Sequence, residues 1–92
     1  MTLLTEEEIA TALGSLRGWA RSGDSITCAM ELADFREAML YAGAVAYLAE
    51  AANHHPDITI RWNRVTLTLS THSAGGLTAA DMALAGRIAT LR

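Results

Sequence analysis

The chain has 92 residues, 51% of them hydrophobic and 18% charged, with a formal net charge of −3. That length and balance fit one globular domain, residues 1–92, and exclude intrinsic disorder. The acidic pI of about 5.4 excludes the basic footprint of a nucleic-acid binder.

Three helix starts share one signature. Thr5…Glu8, Asp34…Glu37 and Thr78…Asp81 each place a capping side chain three residues before a carboxylate, the spacing of a capping box. The first helix is predicted over Glu6 to Leu13, ending near Gly14. Ser15 to Leu32 then reads as a hairpin with its turn at Arg21 to Ser25. Ile26, Cys28, Met30 and Leu32 alternate with Thr27, Ala29 and Glu31, a period of two.

The second helix is predicted over Phe35 to Asn53. Phe35, Ala38, Met39, Ala42, Val45, Ala46, Ala49 and Ala52 make one apolar stripe at helical spacing. Leu40, Ala44, Tyr47, Leu48 and Ala51 make another, so the helix is expected to be covered on two sides, one of them by a second subunit. A second hairpin follows. Ile58, Ile60 and Trp62 alternate on one strand and Val65, Leu67 and Leu69 on the next, with Asn63-Arg64 as the connection. A third helix is predicted over Ala79 to Thr90, with Leu84, Ile88 and Leu91 facing inward. The order α-β-β-α-β-β-α, with hairpins rather than crossovers, predicts an α+β fold: an antiparallel sheet with helices on one face.

No apolar run approaches the roughly 18 residues of a membrane span. The acidic start, Thr5-Glu6-Glu7-Glu8, is unlike the basic opening of a signal peptide. The single cysteine, Cys28, fits a reducing, cytoplasmic setting.

The chemistry concentrates in three histidines. His54 and His55 precede the only proline, Pro56, and His72 follows the second hairpin. The residue before a proline is pushed out of helical geometry, so His55 is expected to end the second helix. His72 has the strand parity of Thr66, Thr68 and Ser70, off the core face, and Gly75-Gly76 follow it. Histidine gives and takes protons near neutral pH, so three in one cleft would make an acid–base catalyst. Each also has a simpler reading. His54 sits where it complements a helix dipole, and Asp81 reads first as a helix cap. Glu50, one helical turn before His54, has the spacing to hold its ring. Adjacent histidines seldom converge on one ion, so no metal site is expected. Cys28, on the apolar face of its strand, is not expected to be a nucleophile.

Glu50-Ala51-Ala52-Asn53-His54-His55-Pro56-Asp57, Trp62-Asn63-Arg64-Val65, Leu69-Ser70-Thr71-His72, Gly76-Leu77-Thr78 and Asp81, in this order, resemble the pterin-4a-carbinolamine dehydratases. The resemblance runs from about Leu16 to Ala89. It implies a four-stranded antiparallel sheet with helices packed on one face, in agreement with the reading above. It implies dehydration of 4a-hydroxytetrahydrobiopterin to the quinonoid dihydropterin, the recycling step for the pterin of aromatic amino-acid hydroxylases, a lyase reaction. No metal or organic cofactor is implied. The implied partners are a pterin and further copies of the chain, as a homodimer or homotetramer. By motif, His54, His55 and His72 are the catalytic histidines. His54, His55, Pro56, Thr71, His72, Ser73, Ala74 and Trp19 are the implied substrate contacts, with Glu50 and Asp81 in support. The chain departs from the family pattern at Ile58, where an aromatic residue is common, and at Trp62, where tyrosine is common. The alternative from another class is a protein-interaction or transcriptional-cofactor module with a vestigial pocket.

Overall fold

The computed structural model describes residues 2–91. Its elements are α1 (Glu6–Gly14), β1 (Trp19–Ser22), β2 (Ser25–Glu31), α2 (Phe35–Ala52), β3 (Asp57–Arg61), β4 (Arg64–Leu69) and α3 (Ala79–Ala89), with a single 3-10 turn at His72–Ala74 before α3. The order is the one expected. Both hairpins join one antiparallel sheet, β1-β2-β4-β3, so the two strands from different hairpins, β2 and β4, form its centre.

Register puts Ile26 beside Leu69, Cys28 beside Leu67, and Met30 beside Val65. Side chains alternate across a sheet, so these share one face, and Ile26, Val65, Leu67 and Leu69 are completely buried on it. Leu84 and Ile88 of α3 and Val45 of α2 complete the core. Thr27, Thr66 and Thr68 take the other face. The capping boxes of α1 and α3 form in both directions. At α2 Asp34 accepts from the Glu37 amide at 2.8 Å, with no return bond from the Glu37 side chain among the described residues.

The inward face of α2 is narrower than its two apolar stripes predict. Ala38, Tyr41, Ala42, Val45 and Ala49 are buried, but Phe35, Met39, Leu40 and Tyr47 are exposed. At 100° per residue these four fall on one outer arc, away from the sheet.

The second turn is displaced by one residue from the expected position. Trp62 and Asn63 make it, and Arg64 already belongs to β4. Asn63 explains the shift. Its side-chain amide donates to the Leu32 carbonyl at 3.0 Å, and its own carbonyl accepts from the Leu32 amide at 2.8 Å. These bonds tie the hairpin tip to the end of β2. Trp62 is left at the turn with φ +50° and 67% exposed, rather than inward with Ile60. A two-residue hairpin turn needs such positive φ values to match strand twist.

Candidate active site

The helix preceding the two adjacent histidines ends earlier than the proline demands. α2 stops at Ala52, and Asn53 caps it in left-handed geometry, φ 50° and ψ 44°. Asparagine visits this region more readily than other side-chain-bearing residues. The turn is closed by the His54 amide donating to the Ala49 carbonyl at 3.1 Å. The chain thus reverses at Asn53 rather than at His55.

Each histidine then meets a carboxylate. His54 Nε2 lies 2.6 Å from Asp81 Oδ1, and His55 Nε2 lies 2.5 Å from Glu50 Oε2. Helical spacing pairs Glu50 with His54. The structure gives it to His55 instead, because the Asn53 reversal turns His54 toward the start of α3. Asp81 is fully buried. It does act as a cap, its Oδ2 accepting from the Thr78 amide at 2.9 Å, and the same oxygen accepts from the Thr71 hydroxyl at 2.7 Å. A buried carboxylate is tolerated when donors surround it. Among the described residues, no buried side-chain polar atom lacks a partner.

The donor set determines which nitrogen of His54 is protonated. Asp81 is the acceptor in its other bonds, so Nε2 carries the hydrogen it presents to Oδ1. In the neutral ring Nδ1 is then the remaining lone pair, the site that accepts a proton.

His72 does not sit on a strand. β4 ends at Leu69, and a Thr71–Gly76 bridge closes a tight loop in which His72 begins the 3-10 turn. Gly75 takes φ +76° to close it, a conformation open to glycine at little cost. His72 is exposed; its carbonyl accepts from the Gly75 amide at 3.1 Å, and its ring makes no hydrogen bond or ion pair among the described residues.

Asn53, His54 and His55 on one side and Ser70 to Ser73 on the other border a cleft of about 260 Å³. The three histidines therefore share one opening. Pro56 and Ala74 lie beside it without lining it. Thr71 borders it, but its side chain is buried and donates to Asp81, so the hydroxyl is turned away from an incoming substrate. Trp19 is elsewhere. It lines a separate apolar cavity of about 300 Å³ with Cys28, Met30, Tyr41 and Ile88. Tyr41 is twelve residues before Asn53, roughly 18 Å along α2 at 1.5 Å per residue, so this cavity lies toward the opposite end of the helix. Burial there pushes the Cys28 thiol pKa up, which keeps it a neutral, apolar wall. Among the described residues no three His, Cys, Asp or Glu groups are arranged to hold a metal ion.

Two features escape the sequence. The pairing of His54 with Asp81 spans 27 positions, and no local spacing announces it. The inward hydroxyls of Thr71 and Thr78, 2.8 Å apart, are equally silent, although a threonine cap preceding a buried aspartate is a signal for such a cluster once burial is known.

Residues 2–91 match the family described as pterin 4 alpha carbinolamine dehydratase. A protein of Nocardia farcinica is 55% identical, with 94% of this chain and 90% of the relative covered. One of Thermomicrobium roseum is 50% identical, covering 99% of this chain and 98% of the relative. Both bear the name "Putative pterin-4-alpha-carbinolamine dehydratase". A crystal structure described as a transcriptional coactivator/pterin dehydratase, from Brucella melitensis, superposes with a TM-score of 0.93 at 35% identity, covering 98% of each chain. A pterin dehydratase-like protein described as a RuBisCO assembly factor in the alpha-carboxysome shares the fold, with a TM-score of 0.68 at 23% identity and 82% and 89% of the two chains covered.

Proposed function

The chain belongs to the pterin-4-alpha-carbinolamine dehydratase family, and on that premise we propose that it eliminates water from 4a-hydroxytetrahydrobiopterin by histidine acid–base catalysis. The observation that carries this reading is the meeting of three histidines on one cleft, with His54 bound to the fully buried Asp81.

The reaction breaks the bond from C4a to its hydroxyl and removes the hydrogen on N5. The hydroxyl leaves with a delivered proton as water, and the N5 electrons form the new N5=C4a bond. His54, whose Nε2–H is held by Asp81, takes the N5 proton on Nδ1. His72, whose ring has no partner among the described residues to compete for its hydrogens, delivers the proton to the departing hydroxyl. His55, held by Glu50, orients the pterin ring. General acid–base assistance of this kind contributes about 10²–10⁴-fold.

Stopped-flow dehydration of synthetic 4a-hydroxytetrahydropterin tests this. His54→Ala and His72→Ala are each expected to lower the rate constant by about 10²-fold or more, and His55→Ala to act mainly on KM. Wild-type rates in all three variants would refute acid–base catalysis. An interaction module with a vestigial pocket, the alternative reading, predicts no acceleration by the wild-type protein over buffer.

The outer arc of α2 supports self-association. Phe35, Met39, Leu40 and Tyr47 are each about half exposed or more, a grouping of large apolar side chains that marks interaction surfaces. We assign a homodimer or homotetramer through this face. Light scattering should report a multiple of the chain mass, and Leu40→Glu with Tyr47→Glu should return the protein to monomer. The lone, buried Cys28 and the lack, among the described residues, of any helix long and apolar enough to cross a membrane support a cytoplasmic site of action.

A further inference from the structure

We infer that Thr71 is a positioning residue that sets the geometry between His54 and His72. The inference rests on the acid–base reading of the cleft. It concerns a side chain that the substrate has no need to touch.

A hydroxyl carries one hydrogen. That of Thr71 is donated to Asp81 Oδ2 at 2.7 Å. In its 2.8 Å contact with Thr78 Oγ1, Thr71 must therefore accept, and the Thr78 hydroxyl must donate. The direction of the chain is thus fixed: Thr78 to Thr71 to Asp81. The carboxylate receives hydrogens from the Thr71 hydroxyl and the Thr78 amide on Oδ2 and from His54 on Oδ1. Two donors on Oδ2 pin the carboxylate plane, which leaves Oδ1 aimed at the ring of His54. Thr71 and Asp81 are both buried, so water does not substitute for a missing donor without entering the core.

The main chain of the same residue anchors the other proton carrier. The Thr71 amide donates to the Gly76 carbonyl at 2.9 Å, and the Thr71 carbonyl accepts from Ala74 and Gly75 at 3.0 Å each. Those bonds close the 3-10 turn that begins at His72. Thr71 therefore reaches His54 through its side chain and His72 through its backbone. Each of these links is a direct bond or one bond removed, so a displacement of Thr71 changes the distance between the two proton-transfer groups.

The test separates the hydroxyl from the fold. Thr71→Val keeps the shape and the backbone but removes the donor. It is expected to lower kcat by about 10–100-fold, the cost typical of losing an orienting partner behind a functional histidine, with KM within about 3-fold. Thr71→Ser restores the donor and is expected to stay within about 3-fold of wild type. In ¹⁵N NMR, His54 should show the Nε2–H tautomer in the wild type and in Thr71→Ser, and a mixture of tautomers in Thr71→Val. Should Thr71→Val fail to fold, Thr71→Ala is read in the same way. A Thr71→Val protein with wild-type kcat and tautomer overturns the inference. So does a Thr71→Ser protein as impaired as Thr71→Val, which would mean packing alone, or a change confined to KM, which would mean direct substrate contact. If the wild-type protein does not dehydrate the pterin, the functional reading fails. The tautomer comparison still decides the role of Thr71.

Discussion

Two histidine–carboxylate pairs stand side by side at the end of α2, at almost the same length. His54–Asp81 is 2.6 Å with side chains 15% and 0% exposed, and His55–Glu50 is 2.5 Å with side chains 57% and 77% exposed. Chemically they are the same pair, and their surroundings make them different devices. The exposed pair is screened by water, competes with solvent for every hydrogen bond and orders two side chains at an entropic cost. The buried pair lies where charges interact strongly, and the carboxylate is held by further donors. Distance alone would have ranked the two as equals. Burial and the partners of the carboxylate show that one is a fixed part of the protein, and the other an adjustable contact at the rim of the cleft.

The difference is broken most severely at Asp81. Asp81→Asn keeps the size but offers an amide N–H₂ to His54, which favours the opposite tautomer. The dehydration rate is expected to fall by about 10²–10⁴-fold. Asp81→Ala strands buried donors, and urea unfolding should show a loss of about 3–5 kcal/mol, a large share of the stability of a domain this size. If Asp81→Asn retained wild-type activity, the buried pair would have no role in proton transfer.

At the exposed pair the expectation is small. Glu50→Gln should change the rate by no more than about 3-fold and the stability by no more than about 0.5 kcal/mol. A loss as large as that of Asp81→Asn would erase the distinction drawn from burial. The smallest effect belongs to a pair remote from the cleft, Glu6 with Arg21. The Arg21 hydrogen bond and charge hold the Glu6 carboxyl below its usual value. Its contribution is therefore present above the unfolded carboxylate pKa and disappears as pH falls through the lower folded value. Glu6 is exposed, so Glu6→Gln should move the acid-unfolding midpoint only slightly, and added salt should abolish the difference.

Much of the fold was legible because its signals are local. The capping pairs Thr5–Glu8 and Thr78–Asp81 act over three residues. The alternation of Val65, Leu67 and Leu69 names the buried face of β4. Asn53 and Asn63 were not legible as determinants. Each moves a boundary by one or a few residues, one through left-handed backbone and the other through bonds to Leu32. Of the candidate site, the three histidines do border a single cleft. Trp19 does not join them, since its strand delivers it to the cavity near Cys28. Apolar spacing on α2 could not tell Met39, which faces out, from Ala38, which faces in, because both fit a helical stripe and only the sheet beneath chooses between them.

Local patterns along the chain were enough for the order of the elements, their caps, the inward face of each central strand and the places of the three imidazoles. Those properties follow from periodicities of 2 and 3.6 residues and from bonds that span a single turn. Long-range packing chose which carboxylate meets which histidine, which side of α2 faces outward and which threonine hydroxyls point into the core. Such choices join positions far apart in the chain, and burial, rather than spacing, sets the strength of the interactions between them.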